Sequence, residues 1–231
     1  MYRTCLAALF VTVTAVATAS AEDPLRPFQR LPKDGTWATY SFGGTEVGNK
    51  ESGTATYRMV GTTTEDGQKC RWLELQINED GRKASISKML VRAKDFAEGA
   101  KKTPKILRGW KKEGAKAVAK LDDKEKSAIE LLAFGVYENA KTVKLEKVID
   151  YQKGRWKIGT ATQGKQTVQL PEAEVGVMAD FTLTIWIHKD SPFGTAASEL
   201  LVKTGETTVF ESKGTLQDYG TGAKSGLPDH N

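Results

Sequence analysis

His188-Lys189-Asp190-Ser191 is the place in this sequence where an imidazole, a carboxylate and a hydroxyl stand together. Those are the residue types of a nucleophile, its base and the acid that orients the base. A triad needs them to converge from separate stretches of chain, however, and packed into four residues at a strand end they read as a solvent-facing turn. The sequence has two histidines, and the second, His230, is penultimate. A zinc centre wants several His or Cys ligands at close spacing, so no metal ligand is assigned. Gly220-Thr221-Gly222-Ala223-Lys224-Ser225 approximates a phosphate loop but fails its spacing, since Ala223 precedes Lys224 and Pro228 follows where a helix should begin. The Asp-Gly pairs at 66–67 and 80–81 lack the alternating acids of a calcium loop and read as turns. Paired carboxylates for glycoside hydrolysis leave no signature in sequence; Glu172 and Glu174, beside Pro171, read as a solvated loop. No catalytic or cofactor-binding residue is assigned, no cofactor is expected, and the chain is read as a non-enzyme.

The N-terminus has the three parts of an export signal: Arg3, an apolar run over 5–16, and the small residues Ala19-Ser20-Ala21. The run is short of the roughly 20 residues that span a bilayer, and Glu22-Asp23-Pro24 follows it in place of a basic flank. The expectation is a signal peptide over 1–21, cleavage near Glu22, and an exported chain, periplasmic or extracellular, that does not span a membrane. Cleavage removes Cys5 and leaves Cys70 as the remaining cysteine, so the fold must stand without disulfides. Cys70 itself reads as a small apolar filler on a strand.

The elements that must position any site are mostly strands. After a Pro-containing lead-in over 22–36, period-2 alternation places strands at 37–42, 54–59, 72–77 and 84–90, with Gly43-Gly44 and Gly48-Asn49 read as a turn between the first two. Glu65-Asp66-Gly67 and Glu79-Asp80-Gly81 supply hairpin connections. Over about 95–138 the texture turns to Ala, Lys, Glu and Leu, and two or three helices are expected. Asp122 or Asp123 caps one whose apolar face is Ala128, Leu131, Leu132 and Gly135, and Ile106, Leu107 and Trp110 form another. Strands resume at 143–148, 156–161, 167–170, 181–188, 199–203 and 207–210, with one more near Leu216, and the chain after 219 reads as a loose tail. The fold class is therefore α+β, predominantly antiparallel β: a curved sheet or half-barrel in one domain over 37–231, with a mid-chain helical insert covering one face.

Residues 92–126 hold twelve Lys or Arg against six Asp or Glu. The cations are dispersed among acids and accompanied by a single Trp, which reads as a solvated helix surface. Nucleic acid is not an expected partner, since aromatic interleaving and a known module are both missing. An anionic membrane surface or polymer is the alternative partner for this basic face. The strand at 181–188 is large on both sides, with Phe181, Leu183, Ile185 and Ile187 opposite Thr182, Thr184, Trp186 and His188, so it is central or lines a cavity.

Signal, antiparallel strands, mid-chain helices and further strands, in that order, resemble the periplasmic lipoprotein-carrier (LolA-like) half-barrel superfamily. Residues 184–194, Thr-Ile-Trp-Ile-His-Lys-Asp-Ser-Pro-Phe-Gly, followed by Glu199-Leu200-Leu201-Val202-Lys203, look like a strand, a Pro-Phe-Gly turn and a return strand, and 216–225 is similar to the closing segment of many exported bacterial proteins. The resemblance implies that a curved sheet and its helical cover shelter acyl chains. The expected function is a soluble exported binding protein for a lipid or other apolar ligand held between sheet and helices, with Trp110, Trp186 and Phe193 as candidate ligand-binding residues. The alternative is a non-enzymatic cell-envelope interaction or structural protein using the basic 92–126 face.

Overall fold

The computed structural model describes residues 24–46, 49–97, 100–169 and 178–228. The expected leader, His230, Glu172, Glu174 and the turn at Gly48 lie outside the described residues. Among those described, eleven strands form one antiparallel sheet: β1 (Trp37–Glu46), β2 (Asn49–Glu65), β3 (Gln68–Glu79), β4 (Ser85–Arg92), β5 (Ile106–Glu113), β6 (Ala119–Lys120), β7 (Glu138–Tyr151), β8 (Gly154–Gln169), β9 (Met178–Ile187), β10 (Thr195–Thr204) and β11 (Thr207–Gly220). Their spatial order is β6-β5-β4-β3-β2-β1-β11-β10-β9-β8-β7, so the first and last strands pair at the centre and the mid-chain strands are the two edges.

This order forces the sheet to curl. The chain must pass from the β6 edge to the β7 edge through the helix α1 (Asp123–Phe134) and five flanking residues. A helix of that length reaches about 18 Å, and the flanking residues add about 17 Å. Eleven strands laid flat would put the edges about 47 Å apart. Curling closes the difference and lays α1 across one face. Glycines make the bend possible at crowded places: a Cβ on Gly44 would run into the backbone of Glu211, and one on Gly53 into the carbonyl oxygen of Asn78. At the other end the β7–β8 hairpin leans back onto β11, where Gln152 N donates to Gln217 O at 2.8 Å and Lys153 pairs with Asp218 at 3.1 Å.

The Asp66-Gly67 turn forms as its chemistry requires, with φ of 50° and 70° at its two central residues. Gly43-Gly44, read as a turn, lies instead inside β1, paired with Lys213 and Ser212 of β11. The expected strands at 207–210 and near Leu216 are one strand, β11, and 167–169 continues β8. The helical stretch is the larger correction. Besides a 3-10 turn at Ala93–Phe96, α1 is the only helix among the described residues, and Ile106, Leu107 and Trp110 belong to strand β5. Local spacing could not reveal this because β5 carries a bulge: Arg108 pairs with Leu90 and Ile106 with Val91, leaving Leu107 over. The extra residue puts Ile106 on the core face with Val91 and Trp110 on the opposite face, mimicking helical spacing. Tertiary pairing with β4 overrides propensity.

The expected loose tail is fastened as far as Leu227. Ala223 N donates to Gly35 O at 2.8 Å, and Ser225 to Leu227 lie over the face of β3 away from the helix, with Leu227 2% exposed. Cys70 is buried on β3 with a free thiol.

Candidate functional site, an apolar cleft between sheet and helix

α1 begins at a capping box in which Asp122 accepts from Glu125 N at 2.9 Å and Glu125 accepts from Asp122 N at 3.0 Å. At its other end Phe134 is buried against Phe96 and Phe28. Glu130, buried on the same helix, accepts from Ile106 N at 2.7 Å and from Lys105 Nζ at 2.7 Å, tying α1 to β5. Held at these points, the helix stands off the sheet beside its middle turns and leaves an open cleft of about 380 Å³.

Alternation aims the walls. Tyr40 and Phe42 of β1, Ala55 and Tyr57 of β2, and Leu75 and Ile77 of β3 share one face and form the floor, with Leu183, Leu200 and Phe210 from the other half of the sheet. Ala128, Ile129, Leu132 and Ala133 of α1 form the roof, and Leu132 is 47% exposed at the mouth. Pro27 and Phe28 of the lead-in close one side; the Phe28 ring meets Tyr57 edge-on at 4.7 Å. The lead-in is anchored there by a bridge between Leu25 and Tyr137 and by Arg26, which donates to Asp95 O at 2.7 Å.

Among the described residues no charged side chain lines the cleft. Burial pushes the Tyr57 phenol up to about 12 and the Tyr40 phenol higher still, so both stay neutral in the wall. Tyr40 donates to Thr195 O at 2.9 Å, and Thr195 Oγ1 donates to Pro27 O at 2.5 Å. Beyond Ile77 lies a separate polar recess, in which Arg82 pairs with Glu79 and with Glu51 nearby, and Lys116 pairs with Glu113. The cleft can exclude water from an apolar group; its described walls offer no acid–base pair for chemistry.

The three sequence candidates lie elsewhere. Trp186 stands on the face of β9 opposite Leu183, 2% exposed, its Nε1 donating to Leu145 O at 2.9 Å and Lys147 Nζ lying 4.1 Å from the ring centre. Trp110 stands on the outer face of β5, 5.5 Å from Trp72. Phe193 is wholly buried behind the wall, its ring 5.1 Å from Phe28 and 5.9 Å from Tyr57. His188 stacks on Trp156 at 3.9 Å, while Ser191 is buried and donates to Thr195 O. Among the described residues no three His, Cys, Asp or Glu side chains converge. The floor residues were legible as one-sided alternation on three strands; Pro27 and Phe28 carry no periodicity that could have marked them.

Fold and cleft together define a class: a curved antiparallel sheet roofed by one helix over an apolar recess. No family model matches the chain, and no curated protein matches it in sequence. Solved structures to which the chain has a distant likeness include a Bacteroides fragilis protein described as exported and YmcC-like in fold (10% identity, TM-score 0.41, covering 84% of this chain and 99% of that one). Another is described as a lipoprotein of Parabacteroides distasonis (9% identity, TM-score 0.42, 85% and 100%). A third is a Brucella abortus β-barrel-like protein of the domain of unknown function DUF1849 (10% identity, TM-score 0.23, 83% and 98%). Among the described residues of the present chain no helix is long and apolar enough to cross a membrane.

Proposed function

We propose that this chain is an exported, non-enzymatic binding protein that shelters a lipid or other apolar ligand between its sheet and α1. The observation that carries the reading is the uncharged cleft of about 380 Å³ with helix side chains on one wall and sheet side chains on the other. An apolar recess left open to water has unfavourable hydration that an apolar guest relieves. The signal-like N-terminus and the resemblance to the LolA-like carriers support the same reading. The envelope-interaction alternative has less behind it, because the basic stretch is partly neutralised within the fold: Lys105 pairs with Glu130, Arg108 with Glu65, Lys111 with Glu125 and Lys126 with Asp123.

Native mass spectrometry of the purified protein is the test. A co-purifying lipid mass, displaced by an apolar fluorescent dye, is expected. Ala128→Trp, which fills the cleft from an exposed helix position, should abolish dye uptake with an unchanged melting curve. A clean apo mass with no dye uptake by the parent protein would overturn the proposal.

A further inference from the structure

Three hydroxyls in the wall of the cleft, those of Tyr57, Ser198 and Ser212, have no hydrogen-bond partner among the described residues. Ser198 on β10 and Ser212 on β11 both line it, and neither makes a hydrogen bond among the described residues. Of the other polar groups of the wall, Tyr40 donates to Thr195 O and Thr195 to Pro27 O, while the Tyr57 hydroxyl, also without a partner among the described residues, stands on β2, beyond β1 from the two serines. Ser198 lies opposite Gly214 and Ser212 opposite Leu200, which makes the serines diagonal neighbours on adjacent strands, about 7–8 Å apart along the sheet. Hydroxyls so placed can reach the two oxygens of a single ester. Gly214, between them, keeps the wall open, since a Cβ there would stand 3.0 Å from Ser198 Oγ.

Resting on the reading of the cleft as a lipid site, we infer that its ligand is a neutral, single-chain acyl ester of glyceride type, with the ester set against Ser198 and Ser212 and the chain running between Leu75 and Ile129. Three features select it. Hydroxyl donors in an otherwise apolar wall are satisfied by an acceptor on the guest and leave a plain hydrocarbon without recognition. With no Lys, Arg or His among the described residues of the wall, a fatty-acid carboxylate would be buried without a counter-ion, which is strongly unfavourable. The volume of about 380 Å³ is near the lower end of the roughly 300–1,000 Å³ found for small-molecule sites, suited to one chain.

The test compares three 14-carbon probes, 1-monomyristoylglycerol, its 1-O-tetradecyl ether analogue and myristate, by displacement of an apolar dye at pH 8. The ester should bind about tenfold more tightly than the ether, the scale of one or two hydrogen bonds, and more tightly than myristate. In the double variant Ser198→Ala, Ser212→Ala the preference for the ester over the ether should be lost, and Ser212→Thr should retain it. Equal binding of ester and ether to the parent protein overturns the ester assignment and leaves the cleft as a lipid site. Tighter binding of myristate overturns the neutral ligand. If none of the three displaces the dye, or no dye enters, the lipid reading of the cleft itself fails. The comparison on the parent protein decides even if a variant does not fold.

Discussion

Glu74 is a carboxylate out of reach of water. It is fully buried on the face of β3 away from the cleft, where Arg58 Nη1 donates to it at 3.0 Å, Ser225 Oγ at 2.8 Å, Gly226 N at 2.9 Å and Leu227 N at 3.3 Å. Removing one partner of a buried ion pair leaves the other uncompensated, so Glu74→Ala is expected to cost about 3–5 kcal/mol in urea unfolding. The variant should also free the 225–228 segment, read as faster amide exchange there. The cleft phenols make a second prediction. Tyr57 is raised from 10.0 to about 12 by burial, so the folded protein holds a proton that the unfolded chain releases above pH 10. The stability linked to that proton is whole below pH 10 and lost as pH rises through about 12. Tyr57→Phe should therefore flatten the fall in melting temperature between pH 10 and 12.

Among the elements, α1 has the weakest claim to form alone and the largest consequence for the cleft. Its twelve residues are marginal as an isolated helix, and its capping box is its main local signal. Asp122→Ala should lower global stability by about 1 kcal/mol. Because the roof of the cleft is this helix, the same change should weaken dye binding more than it lowers the melting temperature. In the sheet, Gly53 lies between the Asn78 carbonyl and the Phe42 ring, whose Cζ would be 3.0 Å from an added Cβ. Gly53→Ala is expected to destabilise by about 1–3 kcal/mol, the scale of overpacking, measured by thermal unfolding. Elements also differ in how openly their residues announce them. The helix cap, read as Asp122 or Asp123, and the Asp66-Gly67 turn are local and were legible, whereas the bulge at Leu107 exists only in pairing with β4.

For the molecule as a whole, topology accounts for the cleft. Pairing the first strand with the last places both edges mid-chain, and the helix between those edges must cross the hollow of the curled sheet. The basic stretch is scattered by the same path over β4, β5, β6 and the start of α1, with several of its cations in ion pairs. Sedimentation with anionic vesicles should thus be weak at about 0.15 M salt, where screening acts within about 8 Å. Strong binding that persists at that salt would restore the membrane-surface alternative.

Strand alternation, turn residues and a helix cap at Asp122 or Asp123 are written in neighbouring residues, and they determined by themselves a mostly antiparallel sheet with a helical element in mid-chain. They also placed Tyr40, Tyr57 and Leu75 on common faces of their strands. Which face becomes the cleft was decided by tertiary structure alone, because the partners that distinguish the faces arrive from far along the chain. Phe28 and Ile129 meet Tyr57 and Leu75 across one side, while Ser225 and Gly226 cap Glu74 on the other. For the same reason Trp186 and Phe193 could not be told from cleft residues by their size: burial is a property of what packs against a side chain, and contacts between residues so distant in sequence leave no local pattern.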